Sequence, residues 1–251
     1  CISRIKRAKK EGKPLSLGYH GNAVDLWERL ADEDENLVEL GSDQTSCHNP
    51  YGGGYYPASL TFDEANVMMN EKPEEFKKEV HKSLVRQINA IKRLTTNKKM
   101  KFWDYGNSFL LQCSRAGADI VKGEGFIYPS YVEDIMGDIF SLGFGPFRWV
   151  CTSGDSKDLD KTDMLAAEEI KALSSKASKR AQQQYDDNYN WIVKAKENKL
   201  VVGSQARILY SDCFGRIQIA MRFNKAIADG EISGPIVISR DHHDVSGADS
   251  P

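Results

Sequence analysis

Leu37-Val38-Glu39-Leu40-Gly41-Ser42-Asp43-Gln44-Thr45-Ser46-Cys47-His48-Asn49-Pro50 passes from an apolar run into a polar one within a few residues. Leu37 to Leu40 reads as a short strand, and eight of the nine residues from Ser42 to Pro50 are polar or small. Such a loop offers side-chain donors, acceptors and backbone N–H groups to a polar ligand. Upstream, Leu15 to Tyr19 reads as another short strand, followed by Gly21-Asn22 and a helix bearing Val24, Leu26, Trp27 and Leu30. Downstream, Thr61-x-x-Glu64 is a capping box. Pro73 opens a longer helix with Val80, Leu84, Ile88 and Ile91 on one stripe. Lys101 to Trp103 is a strand ending at Asp104-Tyr105-Gly106-Asn107. Strand, helix, strand in this order predicts an α/β fold with a parallel sheet covered by helices. Ligands bind such sheets at the carboxyl ends of the strands, where Asn22, the 43–48 run and the 104–107 run fall.

Farther along, Ser174 to Asp187 reads as an exposed helix or connector. Val201-Val202, Arg207 to Tyr210 and Ile236 to Ile238 read as strands, with a helix through Ile219 to Ile227. At the start, Ile2, Ile5 and Ala8 repeat at helical spacing until Gly12. A first residue that is Cys and a polar end at Asp249-Ser250-Pro251 suggest a piece of a longer protein.

The 251 residues carry 34 basic and 36 acidic side chains and are 40% hydrophobic, which excludes a disordered chain. The same balance argues against a nucleic-acid or membrane-surface binder, and no apolar run is long enough to span a bilayer. Five cysteines, odd in number and widely spaced, read as reduced thiols in the cytoplasm rather than as disulfides or metal ligands.

Several stretches can carry chemistry, and each has a plainer reading beside it. Gly52-Gly53-Gly54-Tyr55-Tyr56 allows close backbone approach beside two flat rings, or is simply a turn. Arg148, between Phe147 and Trp149, suits a carboxylate ligand or a stacked structural role. Arg240-Asp241-His242-His243-Asp244 could transfer protons near neutral pH. Adjacent strand residues point to opposite faces, so His242 and His243 are poorly placed to share a metal, and no metal is expected. His20 and His81 read as ordinary surface or core histidines. Gly123-Glu124-Gly125 lacks the third glycine of the dinucleotide fingerprint.

Six runs together resemble the urocanase family, in the family's order. They are Gly21-Asn22-Ala23, Asp43 to Pro50, Asp104 to Asn107, Gly145 to Trp149, Ala206-Arg207-Ile208 and Arg240 to Asp244. Gly203-Ser204-Gln205 and the Gly52–Tyr56 loop look more like the eukaryotic-type branch. The resemblance implies hydration of urocanate to imidazolone propionate in histidine degradation, with NAD+ as an electrophile that draws electrons from the imidazole. It further implies NAD+ contacts at Asn22, Ala23, Gln44, Thr45, Ser46, Cys47, His48, Tyr55, Tyr56 and Tyr105. Arg148 would take the substrate carboxylate and Asp244 a proton-transfer role.

On this resemblance, residues 1–131 would be the C-terminal part of a Rossmann-like NAD-binding domain, with a partial parallel sheet and flanking helices. Residues 132–251 would begin an α/β core segment. The whole enzyme would be a cytoplasmic homodimer. Leu209 stands where many bacterial members have cysteine, and the first glycine-rich turn is absent. The isolated piece is therefore expected to be inactive, and a non-catalytic binding or dimerisation module is the rival reading. An ordinary NAD(P) dehydrogenase is a third, disfavoured by the missing fingerprint.

Overall fold

A computed structural model describes residues 1–198 and 205–239, which fall into two compact units, the first spanning Cys1–Ile135 and the second starting at Met136. The first unit contains α1 (Ile2–Glu11), α2 (Ala23–Ala31), β1 (Leu40–Asp43), α3 (Phe62–Glu71), α4 (Pro73–Lys98), β2 (Lys101–Asp104), α5 (Phe109–Arg115) and the hairpin β3 (Val121–Lys122) and β4 (Gly125–Phe126). β1 and β2 pair in parallel, Leu40 opposite Lys101 and Asp43 opposite Asp104. Both strands therefore release their loops from the same edge.

Local signals place most of these elements. Gly12 ends α1 at a positive φ of 61°, a conformation glycine adopts without a Cβ clash. Thr61 and Glu64 form the reciprocal capping box of α3, and Pro73 sits in the first turn of α4. The long α4 supplies the spine of the core, burying Phe76, Val80, Leu84, Ile88, Ile91 and Leu94 against Phe102, Phe109 and Ile120. Each such side chain contributes about 1.5–3 kcal/mol on leaving water.

Two strand assignments differ from the sequence reading. Leu15 to Tyr19 is not a strand: it forms no ladder, and Leu15 and Tyr19 stay exposed. An apolar alternation becomes a strand only when a neighbour takes its backbone groups. The strand expected at Leu37 to Leu40 instead runs Leu40–Asp43. Asn36 Oδ1 accepts from Val38 N at 3.1 Å, a local turn that holds Val38 out of the ladder. Leu37 and Val38 still pack on the core, which is what their apolarity records.

The second unit contains α6 (Gly137–Ser141), β5 (Gly145–Cys151), α7 (Ser156–Ser174), α8 (Lys179–Val193), β6 (Ala206–Ser211), α9 (Cys213–Ala228) and β7 (Ile236–Ser239). Its sheet has the order β6-β5-β7 and is antiparallel throughout. The 174–187 stretch closes α7 and opens α8, with Ser178 capping α8 through Ala181 N and Tyr185 buried. Trp149 lies at the centre of this core, edge-on to Phe223 at 5.4 Å, its indole N–H donating to Thr162 Oγ1 at 2.9 Å. Arg207, 3% exposed, is paired with Asp163 through Nε and Nη2 at 2.6–3.1 Å. Val201-Val202 and the Arg240–Asp244 run lie outside the described residues.

Phe223→Ala should lower unfolding free energy by about 3–5 kcal/mol in urea titration, because it opens a cavity beneath Trp149; an unchanged midpoint would contradict this core.

Candidate functional site in the first unit

The loops leaving β1 and β2 are held by one carboxylate. Asp43 is 4% exposed and accepts four hydrogen bonds. Oδ1 takes Thr45 N at 3.0 Å, Thr45 Oγ1 at 2.5 Å and Asn107 Nδ2 at 2.9 Å. Oδ2 takes Gln87 Nε2 at 2.7 Å. A buried carboxylate is tolerated only when its lone pairs are met in this way. Asn107 also donates to Thr45 O at 2.7 Å, stitching the two loops together. Gln87 Oε1 accepts from Tyr55 OH at 2.7 Å, carrying the network from the sheet edge through α4 to the loop at 55.

Beside this network lies a cleft of about 520 Å³, lined by His20, Gly21, Asn22, Ala23, Thr45, Gly54, Tyr55, Tyr56, Leu60, Phe62 and Gln87. The first turn of α2 opens on it, where the N–H groups of a helix start favour an anion. Asn22 caps that turn by accepting from Val24 N at 2.9 Å and donates to Tyr56 O at 2.9 Å. Tyr56 stacks on Phe62 at 5.0 Å, and its hydroxyl donates to Asn66 Oδ1. This stacked pair makes one side of the cleft aromatic. Gly54 brings the backbone close, since a Cβ there would meet Ser46 O at 2.2 Å and Asn49 O at 2.4 Å. Helix terminus, stacked rings and amide groups together form a donor set suited to a nucleotide: an anionic part at α2, a flat base or ring at Tyr56 and Phe62.

Of the residues singled out from the sequence, Asn22, Ala23, Thr45, Tyr55 and Tyr56 line this cleft, while Gln44, Ser46, Cys47, His48 and Tyr105 do not. Gln44 and Ser46 are exposed. His48 Nδ1 pairs with Ser108 Oγ at 3.0 Å. Tyr105 stacks on Tyr131 at 5.1 Å. Cys47 is sealed in the core, 3.1 Å from Thr45 Oγ1, and burial pushes its thiol up to about 11. His20 lines the cleft, and His81 accepts or donates at Tyr51 OH, 2.8 Å away. In the second unit Arg148 is half-buried on β5 opposite Ile208 and Ser239, and Leu209 is buried opposite Phe147. Asp244 lies outside the described residues. No cluster of His, Cys, Asp or Glu suited to a metal occurs among the described residues.

Asp43, Gln87 and Phe62 are not among the site residues expected from the sequence. For Gln87 a signal exists: with Ser83 it puts two polar residues, four apart, on the otherwise apolar buried face of α4. Asp104, beside Asp43, keeps Oδ1 without a hydrogen-bond partner, and burial pushes its carboxyl above the usual range.

Comparison with known proteins adds the decisive observation. The family model described as the urocanase Rossmann-like domain matches residues 1–135, and that of the urocanase C-terminal domain matches residues 138–251. The chain belongs to the urocanase family. Among similar family members, a probable urocanate hydratase of Dictyostelium discoideum is 61% identical over 96% of this chain. The urocanate hydratases of Mus musculus and Homo sapiens are each 58% identical over the whole chain. The chain spans 37–38% of the length of these relatives.

Native protein treated with a thiol reagent at about pH 8 should be labelled at the exposed Cys1 and Cys213, with Cys47, Cys113 and Cys151 labelled only after unfolding. The folded Cys47 thiol keeps its proton up to about 11, against 9.0 ordinarily. Its contribution to stability is thus full below pH 9.0 and falls as the pH rises toward 11.

Proposed function

We propose that the chain forms the nucleotide-binding part, and the start of the following core segment, of a urocanate hydratase that uses NAD+. The observation carrying this reading is the convergence on one cleft of Asn22 and Ala23, Thr45, and Tyr55 and Tyr56, from three separate segments. Relatives at 58–61% identity bearing that enzyme's name support it. Asn22 and Ala23 would hold the anionic part of the nucleotide at the start of α2, with Tyr56 and Phe62 beside its rings. Gln44, Ser46, His48 and Tyr105 would contribute from the loops around the cleft, and Cys47, its side chain buried and its backbone bonded to Thr45 and Gln112, by holding the loop in shape.

When bound, NAD+ supplies an electron sink that makes an aromatic, conjugated substrate susceptible to water. Arg148, half-buried on β5 on the face opposite Phe147 and Trp149, would take the substrate carboxylate, and Asp244 a proton transfer. On the same reading the whole protein is a cytoplasmic homodimer with urocanate as substrate, and neither nucleic acid nor membrane as partner. None of the described helices is long and apolar enough to cross a membrane.

Calorimetric titration of the chain with NAD+ should show one saturable site. Phe62→Ala, at a position 66% exposed and so harmless to folding, should weaken it about three- to tenfold. Absence of saturable binding would overturn the reading. The chain with NAD+ but without the remaining length of its relatives should leave the ultraviolet absorbance of urocanate unchanged, whereas rapid loss would show that this span alone suffices.

A further inference from the structure

Resting on the nucleotide reading of the cleft, we propose that Asp43 is a positioning residue that fixes hydrogen-bond polarity along Gln87 and Tyr55, and so sets nucleotide affinity without touching the nucleotide. A carboxylate only accepts. Because Oδ2 of Asp43 faces the Gln87 side chain at 2.7 Å, the amide must turn its NH2 toward Asp43 and its carbonyl oxygen toward Tyr55. The Tyr55 hydroxyl, 2.7 Å away, must then donate to Gln87 Oε1. Burial pushes this phenol above its ordinary range, so it keeps the proton it donates. Tyr55 lines the cleft, and with its proton committed to Gln87 its oxygen can only accept from any further partner. The site therefore takes a hydrogen donor there, of the class an amide, amine or ribose hydroxyl of a nucleotide provides.

The other oxygen of Asp43 adds a second constraint. Thr45, which lines the cleft, is held by its N–H and its hydroxyl, and Asn107 bridges Asp43 and Thr45 O. One buried charge thus fixes the Thr45 loop, the Asn107 loop and the Tyr55 hydroxyl at once. Gln87 and Tyr55 have another way to bond: the Gln87 amide can flip and the Tyr55 hydroxyl can accept. For these two, only the acceptor-only character of Asp43 selects one pattern.

The pattern can be broken and rebuilt. Asp43→Asn turns an amide NH2 toward Gln87, whose amide then flips and donates to Tyr55, reversing that bond, and Gln87→Glu sets a second carboxylate against Asp43. When the two substitutions are combined, the new amide at position 43 donates to the new carboxylate at position 87. That carboxylate still accepts from Tyr55, so the direction of the Tyr55 bond is kept. NAD+ titration of the four proteins should show each single variant bound about tenfold or more weakly. The double variant should recover to within about threefold of the parent, a coupling a merely structural role would not produce.

Leu94→Ala, two helical turns from Gln87 on α4, should lower the melting temperature and leave NAD+ affinity unchanged. Parent-like affinity of Asp43→Asn, or a folded double variant no better than the singles, overturns the proposal while leaving the nucleotide reading intact. Should the double variant not fold, Tyr55→Phe decides: a loss of about tenfold supports the relay and unchanged affinity overturns it. A parent chain without NAD+ affinity overturns the underlying reading and the inference with it.

Discussion

The first unit depends on a negative charge removed from water at the end of β1. An isolated carboxylate in that position would cost several kcal/mol or would neutralise itself. Four donors within 3.0 Å offset that cost, and they come from separate structural commitments. Thr45 requires a tight turn straight after the strand. Asn107 requires the β2 loop to lie alongside, which the parallel register of Asp43 with Asp104 guarantees. Gln87 requires α4 to cross the sheet edge with its buried face open to a polar group. The cleft is a by-product of meeting all three demands, because Tyr55 on the far side of Gln87 then becomes part of its wall.

The second unit is organised differently. Its antiparallel sheet needs no crossover edge, and its buried ion pair, Arg207 with Asp163, joins β6 to α7 instead of positioning loops. Burial raises the Asp163 carboxyl while the guanidinium opposes that shift, the balance expected where one charged partner compensates another away from water. Arg148 and Leu209 sit on adjacent strands of this sheet, and Leu209 puts an apolar side chain in the core opposite Phe147. A thiol at that position would be buried in this structure.

Much of the architecture was legible in the sequence, for reasons that are local. The Thr61–Glu64 box, Pro73 and Gly12 act within one turn of the chain, and the stripe through Val80, Leu84, Ile88 and Ile91 follows helical spacing whatever surrounds it. Strand limits were less legible, because pairing decides them: Leu15 to Tyr19 has apolar residues but no ladder, and β1 starts three residues later than its apolarity suggests. Thr45, just past β1, lines the cleft where strand-end logic looks for ligands, whereas Asn22 lines it from the start of α2 with no strand before it. The part played by Asp43 and Gln87 was hidden, since 44 positions separate them and nothing local indicates that they share a hydrogen bond. Tyr105, at the proper strand end, lies outside the lining of the cleft, one face of its ring stacked on Tyr131.

Backbone amide NMR mapping of the chain during NAD+ titration addresses the nucleotide cleft most directly. Shifts should concentrate at Asn22 to Val24, Thr45, Gly54 to Tyr56 and Phe62, the residues around the α2 terminus and the aromatic wall. Saturable shifts confined to residues 136–239, or none at all, would contradict the assignment of this cleft to a nucleotide.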